Sequence, residues 1–314
     1  MLNAKNTTPS INDTDSAMLL RFPRSPGLPL KAVLIGCLSM FLLSCSLRVT
    51  YPFMDWWLGW RIDDFVTLDK QQDRQLNSTL DQFHLWHQHT QLPLYAQELQ
   101  AFKSQLQQPV ITPEQLRAFG EEAHAHWLAS LDYALPEIHS LFMSLSESQW
   151  QEFTQAMIEH TKEETEPYIE RSPEERFELR QERLEEAMDD WIGRQTDTQK
   201  DLIEAWSRDL NYLSEISRKE QQRWIEAANR LFQQRRSLSE QEVKAQLRQL
   251  IAEETALWTP EHQLLLEENR QRSLQLFSDL HASLTEKQKR RLFKRVTNIE
   301  DDLDYLYQKT LVKK

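Results

Sequence analysis

The stretch Ser172-Pro173-Glu174-Glu175-Arg176-Phe177-Glu178-Leu179-Arg180-Gln181-Glu182-Arg183-Leu184-Glu185-Glu186-Ala187-Met188-Asp189-Asp190-Trp191 reads as a helix from its first residue onward. A serine followed three positions later by a glutamate is a capping box: the hydroxyl accepts an orphan backbone N–H and the carboxylate reaches back to the N–H of the serine. Proline is tolerated at the first helical position, where its missing N–H costs nothing. Phe177, Leu184, Met188 and Trp191 then form one apolar stripe at helical spacing, and charged residues fill the opposite face.

The same grammar recurs along the chain. Leu202, Trp206, Leu210 and Leu213 make a second stripe, and Val243, Leu247, Leu250 and Ile251 a third. Helix starts of the same kind stand at Ile111-Thr112-Pro113-Glu114-Gln115, Leu145-Ser146-Glu147-Ser148-Gln149, Leu284-Thr285-Glu286-Lys287-Gln288 and Leu238-Ser239-Glu240-Gln241-Glu242. Related starts are Thr196 to Gln199 and Trp258-Thr259-Pro260-Glu261. After residue 44 the only glycines are Gly59, Gly120 and Gly193, and no run alternates in the manner of a strand. The expected fold is all-α, a multi-helix bundle or elongated helical array of about ten helices over residues 51–314, ending in a long helix from Thr285 onward.

Ahead of this domain, Ala32 to Leu43 is an apolar run of twelve residues preceded by Arg21, Arg24 and Lys31. It falls short of the roughly 20 residues that span a bilayer and has the charge pattern of a secretory signal. It closes on Leu42-Leu43-Ser44-Cys45, a lipobox. The run resembles a bacterial lipoprotein signal, which implies cleavage after Ser44, acylation of Cys45 (palmitate or a related chain), and a signal peptide over 1–44 whose true start is Met18. Ser46 stands where retention in the inner membrane usually has aspartate, so the resemblance implies an outer-membrane anchor facing the periplasm. Residues 45–50 are then a lipidated tether.

Composition narrows the class further. The full sequence carries a net charge of −12, and four basic against two acidic residues precede Cys45, so the chain from Cys45 onward is more acidic still. Such a chain is a poor partner for nucleic acid. Cys37 lies inside the signal, which leaves Cys45 as the single cysteine and no internal disulfide.

Two further resemblances bear on the domain. The Leu-Thr-x-x-Gln form of the helix starts resembles the repeated motif of the Spy and CpxP periplasmic chaperones, helical cradles that bind unfolded or envelope-stress partners. Because capping boxes arise in any helical protein, their first reading is structural. A longer likeness rests on Tyr51-Pro52-Phe53-Met54-Asp55-Trp56-Trp57-Leu58-Gly59-Trp60-Arg61-Ile62-Asp63-Asp64-Phe65-Val66-Thr67-Leu68-Asp69, on Trp86-His87 and Leu92-Pro93-Leu94-Tyr95-Ala96, and on Asp190-Trp191-Ile192-Gly193 followed by Thr196 and Gln199. In that order these segments resemble an uncharacterised domain-of-unknown-function family of Gram-negative lipoproteins. That likeness implies an address and a fold and no established activity.

Candidate functional residues are few. Trp56, Trp57 and Trp60 follow the lipid site closely enough to lie at the headgroup level, where indole is favoured; the competing and preferred reading makes Trp56, Trp60 and Phe65 the first core-facing stripe. His84 and His87 sit three apart on one expected helix, with His124, His126, His139 and His160 on later ones. No HExxH pair, GxSxG elbow, glycine-rich phosphate loop or CxxC is present, so neither a metal nor another cofactor is expected beyond the lipid on Cys45. Paired carboxylates such as Glu163-Glu164 and the basic run Lys287, Lys289, Arg290, Arg291, Lys294 and Arg295 read first as solvated or internally paired helix faces. The expected role is a non-enzymatic envelope lipoprotein that binds protein partners in the periplasm in a chaperone-like way, with no catalytic residues. The alternative is an envelope enzyme or metal-binding protein using a His/carboxylate site. A foldase of the lipase-helper kind is also helical and membrane-held, but its signature is not found. A concave apolar surface left unfilled by the chain favours binding; a closed polar pocket with converging His and Glu favours chemistry.

Overall fold

The computed structural model describes residues 47–252 and 257–312; the lipobox residues Leu42, Leu43, Ser44 and Cys45 and the signal peptide lie outside them. Among the described residues there are ten helices of ten or more residues and no strand. A helical turn, Leu47–Thr50, and a 3-10 turn, Tyr51–Phe53, lead into α1 (Met54–Asp63). Then follow α2 (Lys70–Gln105), α3 (Pro113–Ser144), α4 (Glu147–Ile169), α5 (Pro173–Ile192), α6 (Asp197–Asp209), α7 (Ser214–Gln234), α8 (Glu240–Ala252), α9 (Pro260–Ala282) and α10 (Glu286–Val312). None is long and apolar enough to cross a membrane.

Each hydroxyl that the sequence marks as a helix start caps a helix. Thr112, Ser146, Ser172 and Thr196 accept the backbone N–H three residues on, and the Gln or Glu there returns a bond to the cap's own N–H. Ser239 with Glu242, and Thr285 with Gln288, do the same. Thr259 caps α9 alone, because the third position is His262. Asp69 with Gln72 opens α2 by the same geometry with a carboxylate as the cap. Thr112→Ala and Ser239→Ala, both at exposed positions, are expected to lower stability by about 1 kcal/mol each; urea titration checks this, and no change in midpoint would contradict it.

Four of these caps are joined in pairs. Gln72 donates through Nε2 to the carbonyl (3.2 Å) and hydroxyl (3.1 Å) of Ser144 and to Gln149 Oε1 (3.2 Å). Gln149 Nε2 donates back to Gln72 Oε1 (2.6 Å) and to the Thr67 carbonyl (3.0 Å). Far along the chain, Gln199 donates to the carbonyl (3.3 Å) and hydroxyl (3.2 Å) of Ser283 and to Gln288 Oε1 (3.1 Å). Gln288 donates back to Gln199 Oε1 (2.9 Å) and to the Arg194 carbonyl (3.1 Å). The second clamp repeats the first position for position. Each ties the start of one helix to the Ser-x-Ser/Thr-x-x-Gln link between two others, and Gln72, Gln199 and Gln288 are buried in doing so.

Three apolar clusters lie between the helices. The largest joins Phe142 and Leu145, Trp150 of α4, Leu231 and Phe232 of α7, and Val243, Leu247 and Leu250 of α8. Trp150 and Phe232 stack with ring centroids 4.5 Å apart, and the buried Arg235 guanidinium lies 3.4 Å above Phe232 while donating to the Leu145 carbonyl beyond α3. A second cluster holds Leu47 and Tyr51 against Leu92 and Ala96 of α2 and Leu303 and Leu306 of α10. A third holds Ile203 of α6 and Leu276 and Leu280 of α9, with Leu184, Met188, Leu202 and Trp206 packed against it.

The expected tether needs shortening. Leu47–Thr50 is already helical, because Leu47 is buried in the second cluster and Arg48 pairs with Asp302 (2.6 Å) and lies over Tyr305. Part of the basic run is internally used: Arg291 and Arg295 donate to the carbonyls of Asp189 and Asp190 at the end of α5, where cations suit the negative pole of the helix. Gly193 ends that helix at φ +80°, a conformation that strains any side chain, so glycine suits the position; a Cβ there would also meet the Arg291 guanidinium at 3.0 Å.

Candidate functional site: an apolar slot between α2 and α3

α2 and α3 run side by side, and their facing positions leave a cavity of about 660 Å³. On α2 its wall is Leu76, Leu80, Phe83, His87, Tyr95 and Leu99, a stripe that extends about 35 Å at 1.5 Å per residue. The facing wall on α3 includes Ala123, Ser130 and Ala134. These small residues stand at spacings of seven and four, where a closed helix seam carries leucines, and that is why the seam stays open. Leu47, Tyr51, Met54, Leu58 and Ile62 of the N-terminal segment cover one side, and Trp224, Leu247 and Leu250 close the end nearest the largest cluster. One edge is polar: Gln75 donates to Ser140 (2.7 Å) and Glu137 (3.4 Å), and Thr79 to Glu137 (3.5 Å).

A chain of polar groups lies in the wall. The ring nitrogens of His87 are bonded to the Tyr51 hydroxyl (Nδ1, 2.9 Å) and the Tyr95 hydroxyl (Nε2, 3.0 Å). His126 is bonded to Gln91 (Nδ1, 3.0 Å) and Glu98 (Nε2, 2.5 Å), and its ring meets Tyr95 edge-on at 4.9 Å. Burial pushes the phenols up, Tyr95 to about 12, and pushes His87 down to about 4, helped by His84 and His126. A neutral imidazole has one donor and one acceptor, so the two tyrosines saturate His87. The indole N–H of Trp127, also in the wall, is buried with no partner among the described residues.

The depressed pKa makes a prediction with a definite sign. An unfolded histidine titrates near 6.5; between there and about 4 the unfolded chain binds a proton that folded His87 refuses. Its contribution is therefore complete above pH 6.5 and lost as pH falls toward 4, a change of about 3 kcal/mol. His87→Gln lacks this loss, so the stability gap between wild type and variant should narrow by that amount from pH 7 to pH 4 in urea titrations. Parallel profiles would contradict the placement of His87.

The other sequence candidates are scattered. His84 faces Asp55 at 3.8 Å with its pKa lowered by burial, and His160 pairs with Glu164 on its own helix. No group of three metal-ligating side chains forms among the described residues. The preferred reading of the aromatic segment is overturned: Trp56 and Trp60 are 69% and 53% exposed and do not enter the core. The reason is that α1 is apolar on both sides, and the stripe through Leu58 and Ile62 faces the cavity instead. Trp57 parts company with its neighbours and lines the cavity.

Residues 64–263, more than half of the chain, match the family of unknown function DUF6279. The chain belongs to that family. The matched region runs from the α1–α2 link into the first turn of α9 and thus includes both long walls of the slot. No curated protein and no solved structure matches the chain.

Proposed function

We propose that this DUF6279 member is a lipoprotein, acylated on Cys45 and held at the outer membrane facing the periplasm, whose helical body binds an apolar part of a partner protein in a chaperone-like way and is not an enzyme. The observation that carries the binding half is the unfilled apolar slot of about 660 Å³, within the 300–1,000 Å³ typical of ligand sites. Its length suits the apolar side chains of a partner helix laid along it, a mode in which the partner's backbone satisfies its own hydrogen bonds. The lipobox supports the anchoring half.

The His/carboxylate alternative draws on His87, His126 and Glu98, but both nitrogens of each ring are committed to neighbouring side chains. A photoreactive residue at position 134, introduced in cells, should capture a protein, and filling the slot with Ala123→Trp should abolish that capture. Capture that survives the filling would refute the slot as the binding site. Cys45→Ser should lose acyl labelling, and normal labelling would refute the anchor.

A further inference from the structure

The N-terminal segment has a second face. Val49, Phe53, Trp56 and Trp60 are 60%, 61%, 69% and 53% exposed, and their spacings of four, three and four place them on one side of a nearly continuous helical path from Leu47 to Asp63. Soluble surfaces scatter single apolar residues, whereas contiguous patches mark an interaction surface. Two nearby cations are paired with carboxylates: Arg48 with Asp302 at 2.6 Å and Arg61 with Asp64 at 2.9 Å. Exposed Asp63 and Asp64 end the apolar run at the far end of α1.

We infer that this face sits in the headgroup region of the bilayer that holds Cys45, with the Val49 end deepest and the Asp63 end in water. The inference rests on the lipid-anchor reading proposed above. The position of the anchor names the occupant: Val49 stands four positions after Cys45, at most about 14 Å of extended chain. An acylated Cys45 therefore brings the face to the membrane whatever else the protein meets. Indole and phenyl rings are suited to that depth, and an apolar helix face buries itself in that layer. Since the opposite face of the same segment covers the slot through Leu47, Tyr51, Met54, Leu58 and Ile62, the slot lies directly above the bilayer, roofed from below by a membrane-seated helix.

The test uses the full acylated protein in vesicles of phosphatidylethanolamine and phosphatidylglycerol whose acyl chains carry bromine, a short-range quencher of indole fluorescence. Wild type should float with the vesicles and be partly quenched. Trp56→Phe with Trp60→Phe should float equally, keep its helix content by circular dichroism, and show a quenched fraction at least about twofold smaller. Flotation with the same quenched fraction in both proteins overturns the seating while leaving the anchor intact. Failure of wild type to float overturns the anchor itself and the seating with it. Shielding of both indoles from aqueous iodide without bromine quenching assigns the face to a second copy or another protein, and likewise overturns the seating.

Discussion

Gln199→Ala is expected to destabilise the protein by about 3 kcal/mol, well beyond the roughly 1 kcal/mol of an ordinary cap. Gln199 is fully buried, and its amide serves Thr196, Ser283 and Gln288 at once. Truncation strands the partners in a place water does not reach, and each stranded buried group costs about 1–3 kcal/mol. Gln288→Ala should behave alike, since Gln288 answers both Gln199 and the Arg194 carbonyl. Because the two amides bond each other, the double variant should lose at least about 1 kcal/mol less than the sum of the singles. Additive losses in urea titrations would mean that the two caps act independently and that the clamp is not a unit.

Filling the slot is expected to do the reverse: little change in stability and a large loss of binding. Ala123 and Ala134 face a space with no side chain in it, so tryptophan there gains apolar contact against an overpacking cost of about 1–3 kcal/mol. The doubly filled variant should keep its helix content, and its melting temperature should fall by no more than a few degrees. Its affinity for an apolar helical peptide should drop at least about tenfold, a difference of about 1.4 kcal/mol. A variant that unfolds would show the volume to be already occupied by the chain.

The helices were legible in the sequence because their signals are local. Thr112 with Gln115, or Ser172 with Glu175, act within one turn, and a stripe such as Val243, Leu247 and Leu250 needs no knowledge of what it meets. Asp69 was missed because the start signal sought was a hydroxyl, although aspartate caps as well. The clamps join positions 77 and 89 residues apart, a distance at which spacing alone says nothing. A trace was present even so, in the matching Ser144-x-Ser146-x-x-Gln149 and Ser283-x-Thr285-x-x-Gln288. The aromatic segment of α1 was misread for another reason: Trp56 and Trp60 on one side and Leu58 and Ile62 on the other are equally apolar, so periodicity offered no way to choose the buried face. The slot had no sequence signature at all, since Ala123, Ser130 and Ala134 are ordinary helix residues until α2 is known to lie opposite.

The central claim, that the slot binds an apolar part of another protein, is tested most directly by aggregation. Light scattering of a chemically unfolded test protein, diluted into buffer, would be followed with the purified wild type and with the Ala123→Trp, Ala134→Trp double variant. The account predicts suppression by wild type near equimolar ratio and little or none by the filled variant at the same concentration and helix content. Equal suppression by both proteins, or none by wild type, would contradict it.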